Sequence, residues 1–196
     1  VESGFLTTNY GLLVPVTAGS ARRTYANPKA PLAQYPKLFV DRITIWRGIE
    51  QKEPVESADF QRVVDDLYSV TTRAFGQTFE LADAPGPSVG RLRIALVAIA
   101  DPDGPLDVYV SAGSPTVYES DEPLPPGLRE FGRAAWVEAE MVDTTTNTTL
   151  IAVVDRVADV MPRPRPIENW SELHAAFAAW AEQAAQRLVD AGKRQS

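Results

Sequence analysis

The sequence predicts an α+β fold: a two-layer sandwich in which a mixed, mostly antiparallel sheet of four to six strands carries two long helices on one face. Three observations lead there. Segments 38–46, 91–100, 133–142 and 149–157 are rich in β-branched and aromatic residues and alternate in polarity, as strands do. Two stretches, closing at Gly76 and Gly192, repeat apolar residues at helical spacing. Their order is β-α-β, then a strand pair, then a helix, which suits helices gathered on one side of a sheet.

Along the chain, alternation in 38–46 puts Ile43 and Ile45 on one face and Arg42, Thr44 and Trp46 on the other. The first helix has Ser57 or Asp59 as candidate N-cap, and Phe60, Val63, Val64, Leu67, Val70 and Ala74 as its apolar stripe. A short strand at 78–81 precedes the turn Pro85-Gly86-Pro87. In 91–100, Leu92, Ile94, Leu96 and Ala98 form one face, with Arg91, Arg93, Ala95, Val97 and Ile99 on the other. A short strand is expected at 106–110. Residues 143–148 read as a hairpin turn with Asn147 in the left-handed position, which Asn tolerates. Asn169 and Glu172 resemble a capping box for the last helix, whose stripe is Leu173, Phe177, Trp180, Ala181, Ala184 and Leu188. Ile43, Ile45, Leu92, Ile94, Leu96, Val137, Leu150 and Val154 are expected to meet the helices, with Ala98, Ala139 and Ala152 allowing close approach.

The 196 residues suit one domain with an appendage: an N-terminal arm, 1–36, packed on a body, 37–196, that carries a Pro-rich acidic loop at about 101–130. Residues 1–47 hold six bases and two acids, whereas 101–126 hold six acids and no base, so arm and body attract. Phe5, Leu6, Tyr10, Leu12, Leu13 and Tyr35 give the arm apolar anchors. The net charge of −7 argues against nucleic acid as a partner. No run of about 18 apolar residues offers a membrane span. With no cysteine and one histidine, His174, thiol chemistry, disulfides and His or Cys metal clusters are excluded.

Several pieces, none specific alone, share an order and spacing. They are Ser3-Gly4-Phe5-Leu6 with Tyr10; Leu32 and Tyr35 before the strand ending at Trp46; and Pro85-Gly86-Pro87. Glu138-x-Glu140-x-x-Asp143, reaching to Leu150 and Asp155, and Trp170 before a helix with Trp180-Ala181 complete the set. Over nearly its whole length the chain thus resembles a bacterial family of proposed lipoproteins, the domain of unknown function numbered 3313. It departs from the family's Asp-Ser-x-Thr-Gly hairpin, having Asp143-Thr144-Thr145-Thr146-Asn147. The resemblance implies secretion to the periplasm and, in the precursor, a lipidated upstream cysteine that tethers the product to a membrane, the outer one by expectation. It implies no activity.

The candidate binding face is the second face of the sheet: Arg42, Trp46, Arg91, Arg93, Trp136, Glu138 and Glu140. Tryptophan among rows of opposite charge suits a peptide, a glycan or a partner domain. The competing expectation is that the arm and the acidic loop cover this face. Glu138 and Glu140, with Asp155 on the next strand, could also serve as acid and base or hold a hard cation, but lack a loop motif for either. His174 is expected as a packed residue at the edge of its helix stripe. Pro85-Gly86-Pro87 and Gly90 form a rigid turn, because proline removes the N–H groups a phosphate cradle needs.

The leading functional expectation is a non-enzymatic envelope lipoprotein that binds or scaffolds another envelope protein, with self-association left open. The alternative is a module for a small molecule or cell-wall glycan on the outer sheet face, and a third reading is a carboxylate-dependent hydrolase. No cofactor, no resident metal and no catalytic residue is expected.

Overall fold

The computed structural model describes residues 2–18, 20–46, 58–97, 120–125, 128, 135–160 and 167–194. Ser57, Ala98, Ile99, the expected strand at 106–110, most of the acidic loop and the Pro162–Pro166 run lie outside them.

Among the described residues eight strands form one sheet: β1 (Val14–Pro15), β2 (Arg23–Ala26), β3 (Lys37–Val40), β4 (Thr44–Trp46), β5 (Glu80–Leu81), β6 (Val89–Val97), β7 (Trp136–Asp143) and β8 (Thr149–Arg156). Their order is β1-β2-β8-β7-β6-β3-β5, with β4 following β3 along β6. The pairs β1–β2, β2–β8, β8–β7 and β7–β6 are antiparallel, while β3 and β4 run parallel to β6 and β3 runs parallel to β5. Helices α1 (Ala58–Gly76) and α2 (Trp170–Arg194) pack together on one face. The fold is therefore the α+β sandwich read from the sequence. The sheet is wider than four to six strands because the arm supplies β1 and β2 and because 38–46 divides in two.

That division is a one-residue slip. Val40 pairs with Leu92 and Thr44 with Ala95, so four steps on one chain match three on β6. The extra residue reverses the alternation, as a bulge does. Leu38 and Val40 on one side of it, and Ile43 and Ile45 on the other, can therefore all face the helices and be buried. A second slip lies in the β7–β8 hairpin: Met141 pairs with Ile151 and Val142 with Thr149, leaving Leu150 as the extra residue. Leu150 joins the helix-side core, but beyond it the phase is inverted. Ala152 and Val154, expected against the helices, face the arm instead, and Asp155 faces the helices.

Helix-side packing centres on Ile94, Leu96 and Val137 of the sheet, Val63, Val64 and Leu67 of α1, and Phe177, Trp180 and Ala181 of α2. Asp59 lies inside the first turn of α1. Asn169 caps α2 by accepting the Glu172 N–H at 2.8 Å, and the Glu172 carboxylate reaches back to the Glu168 N–H at 2.8 Å. Carbonyls of Ser120 and Glu122 take the Ser171 and Trp170 N–H groups, so the end of the acidic stretch closes the start of α2. Gly192 does not end α2, which runs on to Arg194. Asn147 does adopt the left-handed conformation, φ 56°.

Leu67 and Leu96 are wholly enclosed. Truncating either to Ala should cost about 2–5 kcal/mol in urea denaturation; losses under about 1 kcal/mol at both would contradict the packing.

Candidate functional site

The outer face of the sheet is built by cross-strand rows. Trp46, Val97, Trp136 and Arg156 form one; Thr44, Ala95, Glu138 and Val154 the next; Arg93, Glu140 and Ala152 the third. Five of the seven candidate residues thus share a compact area. Arg91 lies one row further and pairs with Asp41. Arg42 stands apart on the exposed slip between β3 and β4.

The chain's own N-terminal arm sits on this area. Glu138 is 0% exposed and Glu140 4%. Buried carboxylates need donors, and the arm supplies them. Glu138 accepts the Ser3 N–H at 3.2 Å, the Ser3 hydroxyl at 2.7 Å and the Tyr10 hydroxyl at 2.5 Å. The Tyr10 oxygen in turn accepts the N–H groups of Gly4 at 2.9 Å and Leu6 at 3.3 Å. Trp46 Nε1 donates to the Ser3 carbonyl at 2.9 Å. Glu140 accepts from Arg93 at 2.5 Å and from Asn9 at 3.0 Å. Phe5 packs edge-on against Trp46, with the Arg93 guanidinium 5.1 Å from the Phe5 ring. Gly4 has φ 102°, a conformation that other residues adopt only under strain. The 3-10 helix Thr7–Leu12 follows directly and brings Tyr10 back over Ser3.

The three carboxylates considered as a set do not meet. Asp155 pairs with Val137 in register, so it points to the opposite face from Glu138 and Glu140. There it takes Arg187 at 3.1 Å and lies 3.9 Å from Arg22. Among the described residues no group of three or more acidic or histidine side chains is placed to hold a metal ion.

His174 lies between the helices with Nδ1 2.7 Å from Asp66 Oδ1. Asp66 carries little signal in the sequence, since an acid beside helix-stripe residues reads as a boundary position; its one signal is that it lies three residues after Val63 and four before Val70. Tyr35 donates to Asp143 at 2.6 Å, joining the arm to the hairpin.

Burial raises the Asp66, Glu140 and Asp155 carboxyls above their ordinary range, against the opposing pull of His174, of Arg93 and Asn9, and of Arg187 and Arg22 respectively. Burial and the Glu138 hydrogen bond raise Tyr10 as well. Asp143 goes the other way, held at about 2 by Tyr35 and the turn N–H groups, while Tyr35 is pushed up to about 12.

These features define a class: an α+β domain whose outer sheet face is sealed by its own N-terminal arm through buried carboxylates. The chain belongs to the DUF3313 family, proteins of unknown function, whose family model matches residues 1–184. Of the residues that carry the resemblance, Ser3 to Leu6, Tyr10, Trp46, Glu138 and Glu140 take part in this seal, whereas Leu150, Trp170 and Trp180 lie in the helix-side core. Among solved structures the chain is similar to a dodecamer of a PelC variant from Paraburkholderia phytofirmans, at 12% identity and TM-score 0.43, covering 86% of this chain and 95% of that one. It is also similar to a DUF4136 family protein from Bacteroides thetaiotaomicron, at 10% identity and TM-score 0.43, covering 86% and 96%. No curated protein matches the sequence.

Tyr10→Phe removes the hydroxyl shared by Glu138, Gly4 and Leu6. It should cost about 1–3 kcal/mol and speed protease cleavage within residues 2–18; unchanged cleavage would show that the seal does not hold the arm. For pH, a carboxyl raised by folding favours the folded state below its unfolded pKa and loses that contribution as pH rises through the folded value. Wild-type stability relative to Asp66→Asn should therefore increase as pH falls from neutral toward the ordinary value of 3.8. Denaturation midpoints across that range check the sign.

Proposed function

We propose that this domain works without catalysis, as an envelope-anchored module that binds or scaffolds another envelope protein. The observation that carries the reading is an exposed apolar row. Leu12, at the end of the 3-10 helix, and Val14 and Val16, in and just after β1, are 49, 62 and 46% exposed, while Leu13 is buried against the sheet. Three exposed aliphatic side chains within five residues at a sheet edge mark a contact surface. Pro15 takes one N–H from that edge, which disfavours addition of another strand and leaves side-chain packing as the mode of docking.

The acids support the non-catalytic side of the proposal. Glu138 is fully engaged with the arm, Glu140 with Arg93 and Asn9, and Asp66 with His174. The compartment and the lipid tether come from the family resemblance. No helix among the described residues is long and apolar enough to cross a membrane.

A photo-crosslinking residue at position 14 of the full-length product, in cells, should yield one adduct with an envelope protein, and that adduct should vanish with Val16→Asp. An adduct only with a second copy would replace the partner by self-association, and no adduct would remove the docking surface. The membrane fraction should carry acyl mass on an N-terminal cysteine. Turnover of any chromogenic ester, amide or glycoside that depends on Glu138 or Glu140 would overturn the non-enzymatic assignment.

A further inference from the structure

The helix-side layer is not filled everywhere. Between α2 and the β2–β8 end of the sheet lies a cavity of about 150 Å³. Its origin is legible in the residues. Arg22, just before β2, and Thr24 and Ala26 on it border the space, and Ala26 is too short to fill it. Ala139 on the sheet and Ala184 and Ala191 on α2 leave further room, walled by Ile151, Val153 and Leu188. Space of about this size, mostly apolar in its walls, accepts a benzene-sized guest.

One end of the cavity is charged, and its charges do not balance. Two guanidinium groups, Arg22 and Arg187, converge on the single carboxylate of Asp155. Arg187 is satisfied, donating to Asp155 and, at 2.6 Å, to Gln183. Arg22 is not: among the described residues its Nε is buried without a hydrogen-bond partner and stays 3.9 Å from Asp155. Burial and the like charge of Arg187 both push its pKa down. Glu140, the other acid bordering the cavity, gives its carboxylate to Arg93 and Asn9 on the opposite sheet face. Among the described residues one positive charge is left over. The side chains of Arg22 and Arg187 are 23 and 34% exposed, so this end reaches solvent.

We infer that this cavity is a binding site for a small amphipathic carboxylate, whose phenyl ring or short acyl chain fills the space beside Ala139 and Ala184 while its carboxylate is taken by Arg22 and Arg187. A monoanion matches the surplus charge, and the planar guanidinium fork matches a carboxylate in two parallel hydrogen bonds. The site lies on the opposite side of the sheet from the Ser3–Tyr10 seal over Glu138 and makes no use of Leu12, Val14 or Val16, so it stands or falls apart from the docking proposal.

The test is calorimetric titration of the full chain with octanoate and with 1-octanol, which share a chain and differ in the charged head. Octanoate should bind about tenfold or more tightly than octanol, as expected for a hydrogen bond to a charged group. Arg22→Met should bring octanoate down to the level of octanol and leave octanol unchanged. Ala184→Met, which fills the cavity, should weaken both. No heat from octanoate at millimolar concentration would overturn the site, as would equal affinity for the two ligands or an octanoate preference that survives Arg22→Met. Should Ala184→Met fail to fold, the comparison on the unaltered chain and on Arg22→Met decides alone.

Discussion

The structure depends on one burial problem. Glu138 stands in the middle of a central strand, shut off from water, in a row with Thr44, Ala95 and Val154. None of those neighbours donates to it. A carboxylate so placed is costly unless donors reach it, and Ser3 and Tyr10 are the groups that do. The arm is therefore a structural layer in its own right. It orders the outer face, lets Phe5 and Leu6 bury apolar surface there, and fixes Trp46 through its indole N–H.

The two sides of the sheet solve different problems. The helix side is a conventional apolar core from β3 to β8, with His174 and Asp66 as a polar pair spanning the two helices. The arm side is polar in its middle, and its specificity comes from hydrogen-bond geometry as much as from area. Acids are answered locally on each side: Glu138 by hydroxyls, Glu140 by a guanidinium and an amide, Asp66 by an imidazole. The cluster at Arg22, Asp155 and Arg187 is different, because its cations outnumber its carboxylates beside unfilled space.

The fold class was legible because its signals are local. Helix stripes, the capping box at Asn169 and the left-handed Asn147 each depend on a few neighbouring residues. The layer assignments of Ala152, Val154 and Asp155 failed for a single reason: alternation read outward from Leu150 passes through an extra residue without registering it. The width of the sheet was missed because β1 and β2 are too short to display a period and exist through pairing with β8. On the outer face, the sequence brought Trp46, Arg93, Trp136, Glu138 and Glu140 to one area by strand parity alone. What parity cannot supply is the identity of the layer above, since the contact between Ser3 and Glu138 spans 135 residues.

The slip between Val40 and Thr44 sets a limit on how this chain can change its length. Upstream of it the buried residues are even-numbered, Leu38 and Val40, and downstream they are odd-numbered, Ile43 and Ile45. Losing one residue at 41–43 would merge β3 and β4 into a regular strand and turn one of those pairs out to the arm side. Gaining one would do the same from the other direction. The neighbouring turn at 144–148, solvent-facing and held by its own Asp143, imposes no such count. Within one sheet, then, chain length is held fixed at a buried parity switch and free to drift at a hairpin tip.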